Sequence, residues 1–370
     1  MSTINSKLKE TLEGITAEYF CKVTEPIAYL NLQTNFNECL RKFASTQFHS
    51  LPVVDDRMVF QGIVSLADLV LTVVLFVRSR SDTDIMDTLK ELEVYFERIT
   101  CYDLLFRTNV GVELSHRHSI SYIEVKHTCN SWIVLNHLAD PTGHCHRVVV
   151  TDGNRRIVNI ISDTSMALWI YNNRIELGIT EHVSNAHILK SVSGSAVSLD
   201  EIVTEKASLL SRKVSEVFPS KTVVTAYADE CVIEVLEKMQ REEVSSVFVV
   251  DSPTKTRVFR FNVSRSDICL LVGGHFNKDL LSSGVTVKQF YSDPQWELLF
   301  SPISEYITLL RRYQAKCKLP LLYIEPSEEV WTAFAKITAC QYHNIYVCSK
   351  DQNPVGVVSL NELMEIIGKT

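Results

Sequence analysis

A serine followed three residues later by a carboxylate stands where an apolar strand gives way to a helix, in Gly62-Ile63-Val64-Ser65-Leu66-Ala67-Asp68. At such a junction a hydroxyl and the unpaired N–H groups of the first helical turn stabilise an anion, so Ser65 could contact a phosphate. The ionised carboxylate of Asp68 accepts two hydrogen bonds, which suits the adjacent 2′ and 3′ hydroxyls of a ribose. The pattern returns as Ser264 with Asp267 in NVSRSD and as Ser359 with Glu362 in GVVSLNE. A fourth copy, NIISDTS, keeps Ser162 but has Ser165 at the carboxylate position and Asn159 at the glycine position, which predicts an empty cleft. Taken singly, Ser-x-x-Asp is also an N-cap box and a common helix start. Its recurrence in four copies with like flanks favours ligand chemistry.

The elements that must position these residues repeat with them. Each copy reads as a short apolar strand, an amphipathic helix, a β-branched strand ending at an acidic turn, a further strand and the hydroxyl-rich helix start. Leu40, Phe43, Phe48 and His49 keep the same steps as Leu236, Met239, Val244 and Ser245, and as Phe334, Ile337, Tyr342 and His343. Asp55 to Ser65, Asp152 to Ser162 and Ser349 to Ser359 each span ten residues, whereas SPTKTR lengthens the third copy. The second copy is the loosest, with extra residues at Pro141-Thr142-Gly143. A β-α-β-β-α unit of about 55–60 residues, recurring roughly every hundred, makes an α/β (α+β) chain of four repeats. The run Leu69 to Val77 predicts a buried helix, and the stretch after it an extra helix with Ile85, Leu89, Leu92, Tyr95, Phe96 and Ile99 on one side.

Composition narrows the partners. With 37 basic against 44 acidic residues the net charge is −7, not the broad positive field that nucleic acid binding needs. The opening MSTINSKLKETLEGITAEYF lacks the apolar core of a signal peptide, and Leu69 to Val77 is far short of the ~20 residues that span a bilayer. No membrane insertion is expected. The 10 cysteines form no C-x-x-C pair, which points to reduced thiols in a cytoplasmic or nuclear protein and to no structural metal.

Other candidate chemistry is weaker. His144-Cys145-His146 and His116-Arg117-His118 are too closely spaced to converge on one metal. No phosphate-loop, nucleophile-elbow, H-E-x-x-H or G-x-G-x-x-G motif occurs, and Gly273-Gly274 reads as a turn, so no enzyme is signalled. Trp132, Trp169, Trp296 and Trp331 read as packing residues, and Arg155-Arg156 as a solvated hairpin tip after Asp-Gly.

LPVVDD followed by GIVSLADLV resembles a cystathionine-beta-synthase (CBS) domain, and four such units resemble the nucleotide-sensing gamma subunit of AMP-activated protein kinase. The resemblance implies two tandem CBS modules. It divides the chain into an N-terminal segment (1–15), repeat 1 (16–80), a helical connection (81–117), repeat 2 (118–173), an inter-module linker (174–213), repeat 3 (214–275), a connection (276–318) and repeat 4 (319–370). It also implies AMP, ADP or ATP as regulatory ligands with no obligatory cofactor, and a kinase catalytic subunit and a beta-type scaffold as partners. Ribose contacts would fall to Asp68, Asp267 and Glu362, and phosphate contacts to Ser65, Ser264, Ser359, His146, Arg147 and His343. His146-Arg147 matches the family's phosphate-holding pair, whereas Asn344 follows His343 where the family has arginine. Phe261 departs from the family glycine. Fewer basic groups than in the family imply weak sensing or a preference for monophosphates. The alternative is a divergent CBS adaptor that regulates an enzyme without nucleotide.

Overall fold

The structure, a computed structural model, describes residues 3–20, 27–46, 48–80, 82–106, 122–140, 145–177, 209–251, 259–265, 267, 296–313, 322–340, 342–351 and 353–369. His116-Arg117-His118, His144, Pro141-Thr142-Gly143, Gly273-Gly274, the SPTKTR turn, Cys21, Cys269 and Cys317 lie outside the described residues.

Four three-stranded sheets account for the strands, and all four are built alike. Repeat 1 runs β1 (Leu30–Asn31), α2 (Phe36–Thr46), β2 (Ser50–Val54), β3 (Phe60–Ser65) and α3 (Leu66–Arg78), after an N-terminal helix α1 (Thr3–Glu13). The connection carries α4 (Ile85–Arg98) and α5 (Cys101–Phe106). Repeat 2 follows as β4 (Tyr122–Lys126), α6 (Ser131–Leu138), β5 (Arg147–Thr151), β6 (Ile157–Ser162) and α7 (Asp163–Asn172). A short α8 (Val214–Val217) precedes β7 (Thr225–Tyr227), α9 (Val232–Arg241), β8 (Ser246–Val250) and β9 (Phe259–Ser264) of repeat 3. Helix α10 (Ile303–Tyr313) leads to repeat 4, made of β10 (Tyr323–Ile324), α11 (Val330–Cys340), β11 (Asn344–Cys348), β12 (Pro354–Ser359) and α12 (Leu360–Lys369).

In each sheet the first strand lies parallel to the second, a connection that needs a crossover helix, and the third returns antiparallel to the second. The register matters for the site. Ser50 faces Ser65, Arg147 faces Ser162, Ser246 faces Ser264 and Asn344 faces Ser359, so each helix-capping serine sits beside the first residue of a middle strand. The two sequence signals, separated by more than a dozen residues, are thereby made neighbours four times.

Burial joins the repeats into a ring. Helices of repeats 1 and 3 share one core, with Leu40, Phe43, Val70 and Val73 packed among Val235, Leu236, Met239 and Trp296. Repeats 2 and 4 share a second, containing Leu135, Met166, Ile170, Phe334, Ile337 and Leu363. The sheets meet the other way: Phe60, Ile63 and Val149 join repeats 1 and 2, while Phe248, Val250, Tyr346 and Cys348 join repeats 3 and 4. Every repeat therefore touches one partner through helices and another through its sheet. Burying both faces is what makes the middle strands continuously apolar.

The segments leading into the repeats cross over within each module. Isolated bridges pair Thr16 with Asn130, Asn35 with Thr100, Lys213 with Glu329 and Cys231 with Pro302. The lead-in of each repeat thus caps the first helix of its module partner, and the next residue (Ala17, Cys101, Val214 or Ile303) is buried in every case. At the Cys101 bridge the Cys39 and Cys101 sulfurs lie 3.2 Å apart.

One expectation needs correcting. Ile85 does not join the buried side of α4 but is 51% exposed, while Thr88, Leu92 and Phe96 face the core. Arg155 and Arg156 are exposed in the β5–β6 turn, as expected, and Arg155 has a further part: it takes a left-handed backbone, its guanidinium binds Glu124 at 3.0 Å, and its carbonyl accepts the Phe60 N–H, tying the sheets of repeats 1 and 2 together. Trp296 and Trp331 are core residues, as their sequence context suggests.

Candidate functional site

In repeats 1 and 4 the serine and the carboxylate close a capping box. Ser65 caps α3 with extended backbone angles; its N–H and hydroxyl both donate to Asp68 Oδ2, at 2.8 and 2.7 Å. Ser264 and Asp267 repeat this at 2.7 and 3.1 Å, and Ser359 and Glu362 at 2.9 Å for both bonds. In repeat 2 the Ser165 hydroxyl takes the carboxylate's place, accepting from the Ser162 N–H at 2.9 Å. The cap and the ligand role are therefore compatible, since the cap bonds converge on one carboxylate oxygen. Ser65 is fully buried; its hydroxyl donates to Asp68 Oδ2 and accepts from the Asp68 N–H. The Ser264 and Ser359 hydroxyls likewise donate to their carboxylates.

The glycine position distinguishes the four clefts. At Gly62 a methyl group would come within 3.0 Å of the Leu105 side chain, so the lead-in helix α5 approaches as closely as glycine permits. Asn159 fills the equivalent place in repeat 2 and donates its amide to the carbonyls of Ala17 and Phe20, at 2.9 and 2.8 Å. Phe261 of repeat 3 turns into the core shared by repeats 1 and 3. In repeat 4 Gly356 is crossed by the Lys221 backbone, and the Lys221 ammonium is paired with Glu362 Oε1. Glu362 thus has one oxygen in the cap and the other on a lysine.

Where the ring closes, the starts of the middle strands converge. The His49 and His343 rings lie 4.6 Å apart, joining repeats 1 and 4. Asn344 donates to Ser245 Oγ at 2.9 Å, joining repeats 4 and 3, and the Arg147 guanidinium lies 5.8 Å from the Phe48 ring, joining repeats 2 and 1. His146 and His343 both reach Asp163 Oδ2, through Nδ1 at 3.0 and 3.7 Å. Of the residues expected to bind phosphate, His146, Arg147 and His343 are brought to this centre. Two charged residues were missed. Asp163 and Arg265 each follow a capping serine, where repeats 1 and 4 have the buried Leu66 and Leu360. A charge at a position that is apolar in sister repeats was the available signal.

Residues 18–74 match the family model of the CBS domain. The whole chain superposes on a solved Methanocaldococcus jannaschii protein, proposed as an archaeal homolog of g-AMPK, with a TM-score of 0.59 over 95% of this chain and 99% of that one at 10% identity. Repeat 1 thus carries a CBS-domain match, and the chain as a whole has the fold of tandem CBS modules. Single CBS pairs are also similar: CBSX2 of Arabidopsis thaliana, solved in complex with AMP, is 18% identical over 45% of this chain and 100% of its own, with a TM-score of 0.30. Among curated sequences, protein SDS23 of Kluyveromyces lactis is 22% identical over 242 residues, 60% of this chain. The chain spans 40% of that relative's length. Among the described residues no helix is long and apolar enough to cross a membrane, and no cluster of three potential metal ligands occurs.

The charged groups at this centre shift one another. Burial pushes the Arg147 guanidinium down to about 10, against the pull of Asp163. Burial also lowers Arg265, with Asp68 opposing, and its Nε is buried without a hydrogen-bond partner. Burial alone would lower His146, but its hydrogen bond to Asp163 and that charge prevail, so its pKa rises above 6.5. Burial would raise Asp163, yet the two histidines hold it well below the usual carboxylate range.

Proposed function

We propose that this chain is a non-catalytic regulatory subunit that senses adenine nucleotides (AMP, ADP or ATP) in its CBS clefts. In this reading Asp68 and Asp267 hold ribose hydroxyls, and His146, Arg147 and His343 meet phosphates at the centre. Glu362 serves as a ribose contact when Lys221 releases it, and Ser65, Ser264 and Ser359 fix the carboxylates from behind. The observation that carries the proposal is the convergence of four equivalent strand starts on one basic centre, beside carboxylates already oriented by their caps. Nucleotide binding to one conformation would bias the surface shown to a partner, which is linkage rather than catalysis. The partner in this reading is a protein kinase catalytic subunit with a beta-type scaffold. Calorimetric titration of the intact chain with AMP and with ATP tests it. Binding should occur and lose one site in each of Asp68→Ala and Asp267→Ala; a folded parent that gives no heat with either nucleotide ends the proposal.

A second reading has its own support. Asn159 and the Lys221–Glu362 pair occupy the clefts of repeats 2 and 4 with the protein's own groups. An adaptor that regulates an enzyme by contact alone would look this way. It predicts that the parent gives no heat while still co-purifying with its partner.

A further inference from the structure

The position after each capping serine is leucine in repeats 1 and 4, arginine in repeat 3 and aspartate in repeat 2. Asp163 is 1% exposed. A buried carboxylate keeps its charge only when opposite charges and hydrogen bonds replace its water. Here the replacement is complete. Oδ1 accepts from the Thr164 N–H and hydroxyl, at 2.6 and 3.2 Å, and Oδ2 faces Nδ1 of both His146 and His343. Those two histidines come from different repeats, 2 and 4, and both are among the residues assigned above to phosphate.

We propose that Asp163 is a built-in counter-ion that makes the centre select against highly charged phosphates. The inference rests on the nucleotide reading given above. With no carboxylate there, the basic side chains of His146, Arg147 and His343 would face a ligand without an internal anion, and affinity would climb with each added phosphate. With Asp163 in place one unit of that charge is neutralised internally, and every further negative charge on the ligand meets a fixed anion at short range, inside protein where screening is weak. A monophosphate carries the least of this penalty. Charge at a recognition site sets preference in this way by repelling the wrong ligand as well as attracting the right one.

The test is a pair of calorimetric titrations, AMP and ATP, on the full-length parent and on Asp163→Asn, which keeps the shape and the Thr164 contact. ATP should bind roughly tenfold more tightly to the variant and AMP no more than about threefold, so that the preference between them shifts toward ATP. Asp163→Leu, the residue that repeats 1 and 4 tolerate at this position, is the second variant and should move the preference the same way if Asn disturbs folding. ATP binding seen only in a variant also supports the proposal. An unchanged ratio of ATP to AMP affinity overturns it and leaves the nucleotide reading standing. Absence of binding in the parent and both variants overturns the two together.

Discussion

The clefts of repeats 2 and 4 occupy equivalent places in the two modules, and each is crossed by the segment that leads into the other repeat of its own module. Their capping boxes have nearly the same lengths, 2.9 Å from the cap N–H in both. They differ in how the crossing segment is fastened. In repeat 2 a buried amide, Asn159, grips two carbonyls of the N-terminal segment. In repeat 4 the fastening is an ion pair between Lys221, 42% exposed, and Glu362, 29% exposed. Buried neutral hydrogen bonds are costly to leave unmade, whereas exposed ion pairs are worth little and exchange readily. One backbone arrangement thus yields a sealed cleft and a latched one, and the choice lies in side chains rather than in fold.

Breaking the seal should have the largest effect. Asn159 is 4% exposed, so Asn159→Leu leaves the carbonyls of Ala17 and Phe20 buried without their donor. At about 1–3 kcal/mol for each orphaned group, a loss of about 3 kcal/mol is expected, read as a drop in the urea midpoint without a change in slope. The sharper version of the comparison is Asn159→Gly with Ser165→Asp, which gives repeat 2 the residues of repeat 1. If charge and space at these two positions are what separate the clefts, that double variant should bind one more nucleotide than the parent; unchanged stoichiometry would show that the crossing segment seals the cleft without Asn159.

A smaller effect follows from the pair behind the repeat 2 cleft. His146, whose folded pKa lies above 6.5, binds its proton more tightly folded than unfolded, so its contribution is complete below 6.5 and is lost as pH rises through the folded value. Asp163, held well below 3.8, contributes above 3.8 and loses that contribution as pH falls through its lowered value. Both contributions are present together between 3.8 and 6.5. The groups facing this pair are His343 and Asn361 of repeat 4 and Arg147 of its own strand. The urea midpoint should therefore decline from pH 6.5 to 8 in the parent and stay flatter in His146→Gln. Parallel profiles would mean that the pair is not coupled to folding, and repeat 4, which has no such buried carboxylate after its cap, provides the internal contrast.

Most of the fold was legible because it is periodic. Leu40, Phe43, Leu236, Met239, Phe334 and Ile337, aligned by spacing alone, are all buried, and Ser65, Ser162 and Ser359 cap helices. The capping carboxylates were legible for the same reason, since repetition turns a common local motif into a shared design. What escaped depends on partners far away in sequence. Asn159 reaches Ala17 across 142 residues, and Lys221 meets Glu362 across 141. The lead-in residues Ala17, Cys101, Val214 and Ile303 also form a fourfold set, but their flanks ITAEYF, ITCYDLLF, RKVSEVF and SPISEYI share a pattern too short to stand out before their bridges are seen. Asp163 was in plain view inside NIISDTS. Its meaning lay in the two histidines it faces, one of them from another module.

The smallest change in stability, and the most direct probe of the latch, is Lys221→Ala. The pair it removes is largely solvated, so the urea midpoint should move by no more than about 0.5 kcal/mol in equivalent free energy. Its consequence for binding should be larger than its consequence for folding, because Glu362 Oε1 loses its lysine while Oε2 stays in the cap with Ser359. The carboxylate then matches Asp68 and Asp267 in having its cap bonds on one oxygen. Calorimetry should show the fourth cleft filling at lower nucleotide concentration in Lys221→Ala than in the parent, and Glu362→Gln should abolish that gain. If Lys221→Ala instead weakens binding, the lysine is itself a phosphate or ribose contact, and the repeat 4 cleft is latched by its ligand rather than against it.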